Sequence, residues 1–94
     1  MLTTPLEGEV ITGRLRVTGT AEHEDFSFFK LEIAPGRSSD FGYVIGRERT
    51  VVDGVLGTLD TTTFANGTYV LRLVTVDNTG NYPTPCNVTI TIEN

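Results

Sequence analysis

The sequence predicts an all-β fold, a two-sheet Greek-key sandwich of about seven strands. Three observations carry that reading. Runs of β-branched, aromatic and leucine side chains are separated by turn-forming residues about every eight to twelve positions. No stretch keeps helical periodicity beyond a turn. The third is the segment from Phe64 to Asn81, where the turn signal Asn66-Gly67 runs directly into the strand-forming Tyr69 to Val76 and Asp77-Asn-Thr-Gly-Asn81 stops it. A tyrosine just past a turn, followed by alternating Leu71 and Leu73, matches the tyrosine corner of Greek-key sandwiches. Tyr69 is therefore expected to be largely buried, with its hydroxyl bonded to backbone between Thr62 and Asn66.

In chain order, Met1 to Pro5 reads as a loose lead-in. A short edge strand follows around Val10 and Ile11, bracketed by Gly8 and Gly13. Arg14 to Thr20 alternates with period two, Leu15 and Val17 facing in and Arg14, Arg16 and Thr18 facing out. Ala21 to Asp25 is a polar loop. Phe26 to Ala34 is the next strand, with Phe29, Leu31 and Ile33 on one face and Phe28, Lys30 and Glu32 on the other; Pro35-Gly36 ends it. Phe41 to Ile45 is a short strand, Gly46 to Val52 irregular or a short edge, Asp53-Gly54 a turn, and Val55 to Leu59 a strand. Cys86 to Glu93 closes the set. The expected core is Leu15, Val17, Phe29, Leu31, Ile33, Leu56, Leu71, Leu73, Val88 and Ile90. Val74 and Val76 have the opposite parity to Tyr69, so either a bulge shifts that strand or its outer face is covered.

Composition narrows the classes. Ninety-four residues, 38% hydrophobic and 20% charged, suit one folded domain spanning 1–94 rather than a disordered chain. The formal net charge is −5 and the arginines are scattered, which argues against neutralisation of nucleic-acid phosphates. A single cysteine, Cys86, allows no internal disulfide; its parity with Val88 and Ile90 reads as a small core residue. No apolar run approaches the length of a membrane span, so no direct membrane insertion is expected. The abrupt close after a strand suggests a piece of a longer chain.

Several landmarks together resemble a family. Gly13 with Val17-Thr-Gly-Thr-Ala21, Phe26 with Phe29, Leu31 and Glu32, Asp53-Gly-Val-Leu56 and Leu59-Asp-Thr61 are the first of them. Asn66-Gly-Thr-Tyr69 with Leu71-Arg-Leu73, Asp77 with Gly80-Asn81, and Ile92-Glu-Asn94 complete the set. The pattern resembles the bacterial immunoglobulin-like (fibronectin-III-like) accessory modules of surface and secreted multidomain proteins. It departs from them in lacking tryptophan; Tyr43 and Leu59 stand at the two positions, so a smaller core is expected there. The resemblance implies an immunoglobulin-like sandwich serving as a non-catalytic structural or spacer module of an exported or cell-surface bacterial protein. Its partners would be neighbouring domains of the parent chain. The alternative is a binding module for a glycan or protein partner, with contact to cell wall or glycan.

Candidate chemistry is sparse. His23 is the only histidine, and Ser27, Ser38 and Ser39 lack a glycine elbow, so no catalytic residue is assigned. A calcium site would need Glu22, Glu24 and Asp25 from one loop beside Asp77, Asn78 and Asn81 from another, both at one end of the sandwich. The competing reading is that Asp77 and Asn81 form turn bonds and the acids are solvated; no metal and no cofactor is assigned, and calcium is expected to leave the melting temperature nearly unchanged. A glycan platform would need Phe28, Phe41, Tyr43 or Tyr82 exposed together. Asn66-Gly-Thr68 and Asn87-Val-Thr89 match the glycosylation sequon but read as accidental. Finally, Arg72 is expected opposite Glu32 or Lys30 on the outer sheet face, as a solvent-exposed ion pair stabilising by at most ~1 kcal/mol.

Overall fold

A computed structural model describes residues 1–36, 38, 40–80 and 85–94. Its strands are β1 (Leu2–Thr4), β2 (Glu9–Ile11), β3 (Arg14–Ala21), β4 (Phe26–Pro35), β5 (Gly42–Arg47), β6 (Val51–Asp60), β7 (Gly67–Asp77) and β8 (Cys86–Ile92), with one 3-10 turn at Thr61–Thr63. They form a three-stranded sheet, β1-β3-β6, and a five-stranded sheet, β2-β8-β7-β4-β5. This is an all-β, immunoglobulin-like sandwich. Every pairing is antiparallel except β2 with β8. The chain changes sheet between β1 and β2, so its first residues brace both layers.

Period-two alternation produces the core. β3 buries Leu15 and Val17 while Arg14 and Arg16 stay exposed. Across from it, β4 contributes Phe29, Leu31 and Ile33, β7 Leu71 and Leu73, and β8 Val88 and Ile90. With Leu56 of β6, every residue expected to point inward is buried. Burying each such side chain stabilises the fold by about 1.5–3 kcal/mol relative to exposure.

Five expectations are corrected. Met1 to Pro5 is no loose lead-in: Leu2 and Thr4 pair with Gly19 and Thr18, and Pro5 is buried. Gly19 permits this approach, since a side chain there would run into the Met1 carbonyl. Asp53-Gly54 does not turn the chain; it lies inside the ten-residue β6, where Asp53 takes φ 47° and the register against β3 slips. Aspartate tolerates that left-handed conformation better than most residues, so a turn-like dipeptide becomes a bulge. Cys86 packs against the core but is only partly buried. Tyr43 is 69% exposed and fills no core position in place of a tryptophan, whereas Leu59 is buried.

The fifth concerns Tyr69. Its hydroxyl donates to the Ala65 carbonyl oxygen at 2.7 Å, as the corner requires. The ring is half-buried rather than buried, meeting Phe64 edge-on at 5.7 Å. As for Val74 and Val76, β7 keeps one register against β4 from Val76 to Tyr69, so no bulge reverses them. They point outward with Arg72 and are nevertheless 4% and 8% exposed. The outer face of the larger sheet is covered there.

Candidate functional site on the outer face of the larger sheet

The pleat of β4 sends Phe28, Lys30 and Glu32 outward, and β7 sets Val76, Val74 and Arg72 directly opposite them. Arg72 donates from Nε (3.0 Å) and Nη2 (2.6 Å) to the same Glu32 oxygen, Oε1. Lys30 Nζ lies 3.5 Å from Oε2. The Phe41 ring covers the guanidinium, 3.7 Å from Cζ to the ring centroid. The expected pair is therefore present, but only partly exposed: Glu32 is 8% exposed, while the Arg72 side chain keeps 29% of its surface open. The reason is that both flanks are occupied, Arg72 on one side and Tyr43 opposite Glu32 on β5. Sequence reasoning offered Phe41 as a candidate glycan-platform aromatic and gave no sign that it stacks on Arg72.

Two hollows open on this face. One, of about 390 Å³, is lined by Phe28, Val74, Val76 and Pro85 together with the Lys30–Glu32–Arg72 group. The other, of about 520 Å³, is formed by Phe28, Tyr43, Gly46, Arg47 and Glu48. Gly46 makes room for Tyr43, since a Cβ there would lie 2.6 Å from the tyrosine hydroxyl. Phe28 and Tyr43 thus share a hollow; Tyr82 lies outside the described residues.

The loop carboxylates behave differently. The two loops do meet at one end, where the Asn78 N–H donates to the Asp25 carbonyl oxygen at 2.8 Å. The Asp77 carboxylate accepts from the Thr79 N–H (2.9 Å) and hydroxyl (2.7 Å), the turn bonding expected of it. Glu22, Glu24 and Asp25 are exposed, and among the described residues no three of His, Cys, Asp and Glu converge. Asn81 and Ser39 lie outside the described residues. His23 is exposed, its Nδ1 accepting from the Asp25 N–H at 3.2 Å.

At the opposite end sits a polar clasp that residue-by-residue reading missed. Thr61 is fully buried and donates its hydroxyl to the Gly13 carbonyl oxygen. Asn94 accepts from the Gly13 N–H (2.9 Å), donates to the Thr61 carbonyl (2.8 Å), and donates its own N–H to Asn66 Oδ1 (2.9 Å). One asparagine thus ties together the β2–β3 link, the 3-10 turn and the β6–β7 turn. Asn66 is engaged structurally, whatever its sequon implies. Beside it, Asp60 caps the 3-10 turn: hydrogen bonds from the Thr62 hydroxyl (2.6 Å) and N–H (3.1 Å), with a smaller contribution from Arg14, hold its carboxyl below the usual aspartate range.

No protein-family model and no curated protein matches the chain. Among solved structures it is similar to the fibronectin(III)-like modules of Clostridium thermocellum CbhA, at 17% identity and TM-score 0.70, covering 98% of this chain and 93% of that one. It is also similar to CopC from Methylosinus trichosporium OB3b, at 18% identity and TM-score 0.52, covering 99% and 92%. The fold is that of a fibronectin-III-like module.

Proposed function

We propose that this chain is a non-catalytic structural module of an exported or surface-anchored bacterial protein, a single domain that sets the distance and orientation of its neighbours. The observation that supports this most is where the fold holds its two ends. The Met1 carbonyl oxygen accepts from the Thr20 N–H at 2.8 Å, and Asn94 is tied to Gly13. β3, Arg14–Ala21, runs between those points, so the ends sit at opposite poles, separated by about 25 Å of strand. A chain entering at one pole and leaving at the other, in a body 38 Å long, separates its neighbours instead of folding them back on each other. The likeness to fibronectin(III)-like modules over nearly the whole chain agrees with that role.

The test places the module between two spin-labelled reporter domains and measures their separation by pulsed electron resonance. A narrow distance distribution is expected. A broad one, like that of a flexible Gly/Ser linker, would overturn the spacer reading. Export is checked separately by detecting the parent protein on intact cells. A second reading, a glycan-binding module, draws on Phe28 and Tyr43 sharing one hollow with Arg47 and Glu48. Saturable binding on a glycan array, lost in Tyr43→Ala, would favour it over the spacer role.

A further inference from the structure

The edge of a sheet is an open row of backbone N–H and C=O groups on which another strand can pair. Among the described residues four strands end the two sheets: β1 and β6 in the smaller, β2 and β5 in the larger. β1 and β2 have three residues each, too short to seat a strand securely. β5 has six and ends on Arg47. β6 has ten, contains neither lysine nor proline, and leaves Val52 and Val55 exposed at 61% and 48%. By length and composition β6 is the edge open to a further strand. Antiparallel to itself across a two-fold axis, it needs no partner other than a second copy of the chain.

What interrupts this edge is a bulge. β6 carries two extra residues against β3. One lies between Val55 and Gly57: it is Leu56, buried at 2%, so that bulge fills the core. The other lies between Val51 and Gly54, where Val52 and Asp53 stand against Thr20 alone. Both are exposed, so this second bulge buries nothing. It is nonetheless firmly held. Asp53 takes φ 47°, a left-handed conformation seen at no other non-glycine among the described residues. Its N–H donates to the Thr20 hydroxyl oxygen at 3.1 Å. Gly54 lets the bulge close, since a Cβ there would crowd Val51 at 3.0 Å. A strained residue kept where it packs nothing points to a role on the edge itself.

We propose that the Asp53 bulge guards this edge, keeping β6 from pairing antiparallel with β6 of a second copy of the chain. The bulge breaks the straight run of backbone groups that a partner strand would read, and the exposed carboxylate adds to the obstacle. The inference goes beyond the spacer role and holds whether or not the module spaces its neighbours.

The test follows the intact chain by analytical ultracentrifugation at rising concentration, with amide hydrogen exchange along β6. The native chain is expected to sediment as a monomer. Deleting Asp53 sets Val51 to Val55 one for one against Ala21 to Thr18 and keeps Val51 inward and Val55 outward. Its mass should rise with concentration toward that of a dimer, with the β6 amides gaining protection. Asp53→Gly, which keeps the positive φ and removes the charge, should stay monomeric. Val55→Lys added to the deletion should restore the monomer. A natively folded deletion variant that stays monomeric would overturn the proposal. Should the deletion not fold, Asp53→Val takes its place with the same expectation, because a β-branched side chain disfavours φ 47°. Association of the native chain through β6, or of Asp53→Gly as strongly as the deletion, would equally overturn it.

Discussion

Each sheet carries one cross-strand pair of opposite charge at directly opposed positions: Arg14 with Asp60 in the smaller sheet, Glu32 with Arg72 in the larger. By register alone they are equivalent. In the larger sheet the pair closes into two hydrogen bonds beneath an aromatic ring, with Glu32 buried. In the smaller sheet Asp60 turns its carboxylate to Thr62, and Arg14 acts on it only as a weak neighbouring charge. The difference is the cover. Water competes with an exposed ion pair, and a local turn bond wins; exclude the water, and the carboxylate goes to the guanidinium. The same contrast runs through both outer faces: Arg14 and Arg16 are open on one, while Val74 and Val76 are buried on the other.

Predictions that break or sharpen this contrast fall in order of size. The largest effect lies beneath both faces: Leu71→Ala, at 0% exposure, should cost about 2–5 kcal/mol in chemical denaturation through lost transfer energy and the cavity left behind. Next is the covered pair. Glu32→Ala should cost about 1–3 kcal/mol, because it strands the Arg72 donors under Phe41. Arg16→Ala on the open face should stay within ~0.5 kcal/mol. A Glu32/Arg72 double-mutant cycle should give a coupling above ~1 kcal/mol that survives added salt. A coupling as small and salt-sensitive as that of Arg14/Asp60 would mean the cover does not matter.

Third is Tyr69→Phe, which removes the bond to Ala65 at the end of the larger sheet. With the ring half-buried, water can reach the freed carbonyl, so the loss should be about 1 kcal/mol rather than the larger penalty of a sealed acceptor. The smallest effect is Asp60, and it is read from pH. Its folded pKa is depressed, chiefly by the Thr62 hydroxyl, so it stabilises the fold above the usual aspartate range and loses that contribution as pH falls through the lowered value. The stability difference between the native chain and Asp60→Ala should therefore narrow in acid. A gap that stays constant down through the acid range would show that the Thr62 bonds do not depend on the charge.

What the sequence determined by itself is everything that follows from alternation and local turn chemistry. Phe29-Lys-Leu-Glu-Ile33 and Leu71-Arg-Leu73 can bury only one face each, so the core, the neighbours β4 and β7 and the meeting of Glu32 with Arg72 were legible as soon as the strands were. Asn66-Gly67 before Tyr69 likewise announced the bond to the upstream turn, because that geometry is local. Tertiary structure decided what lies over a face and which distant residues close an end. The parity of Val74 and Val76 left a bulge and a covered face as alternatives without choosing between them, nothing near Phe41 says that it roofs Arg72, and nothing near Thr61 says that Asn94, thirty-three residues on, will bond its carbonyl. Those contacts cross between segments that no short-range period links. For the same reason Asp53-Gly54, a turn by its own chemistry, became a bulge once β3 supplied a partner on both sides of it.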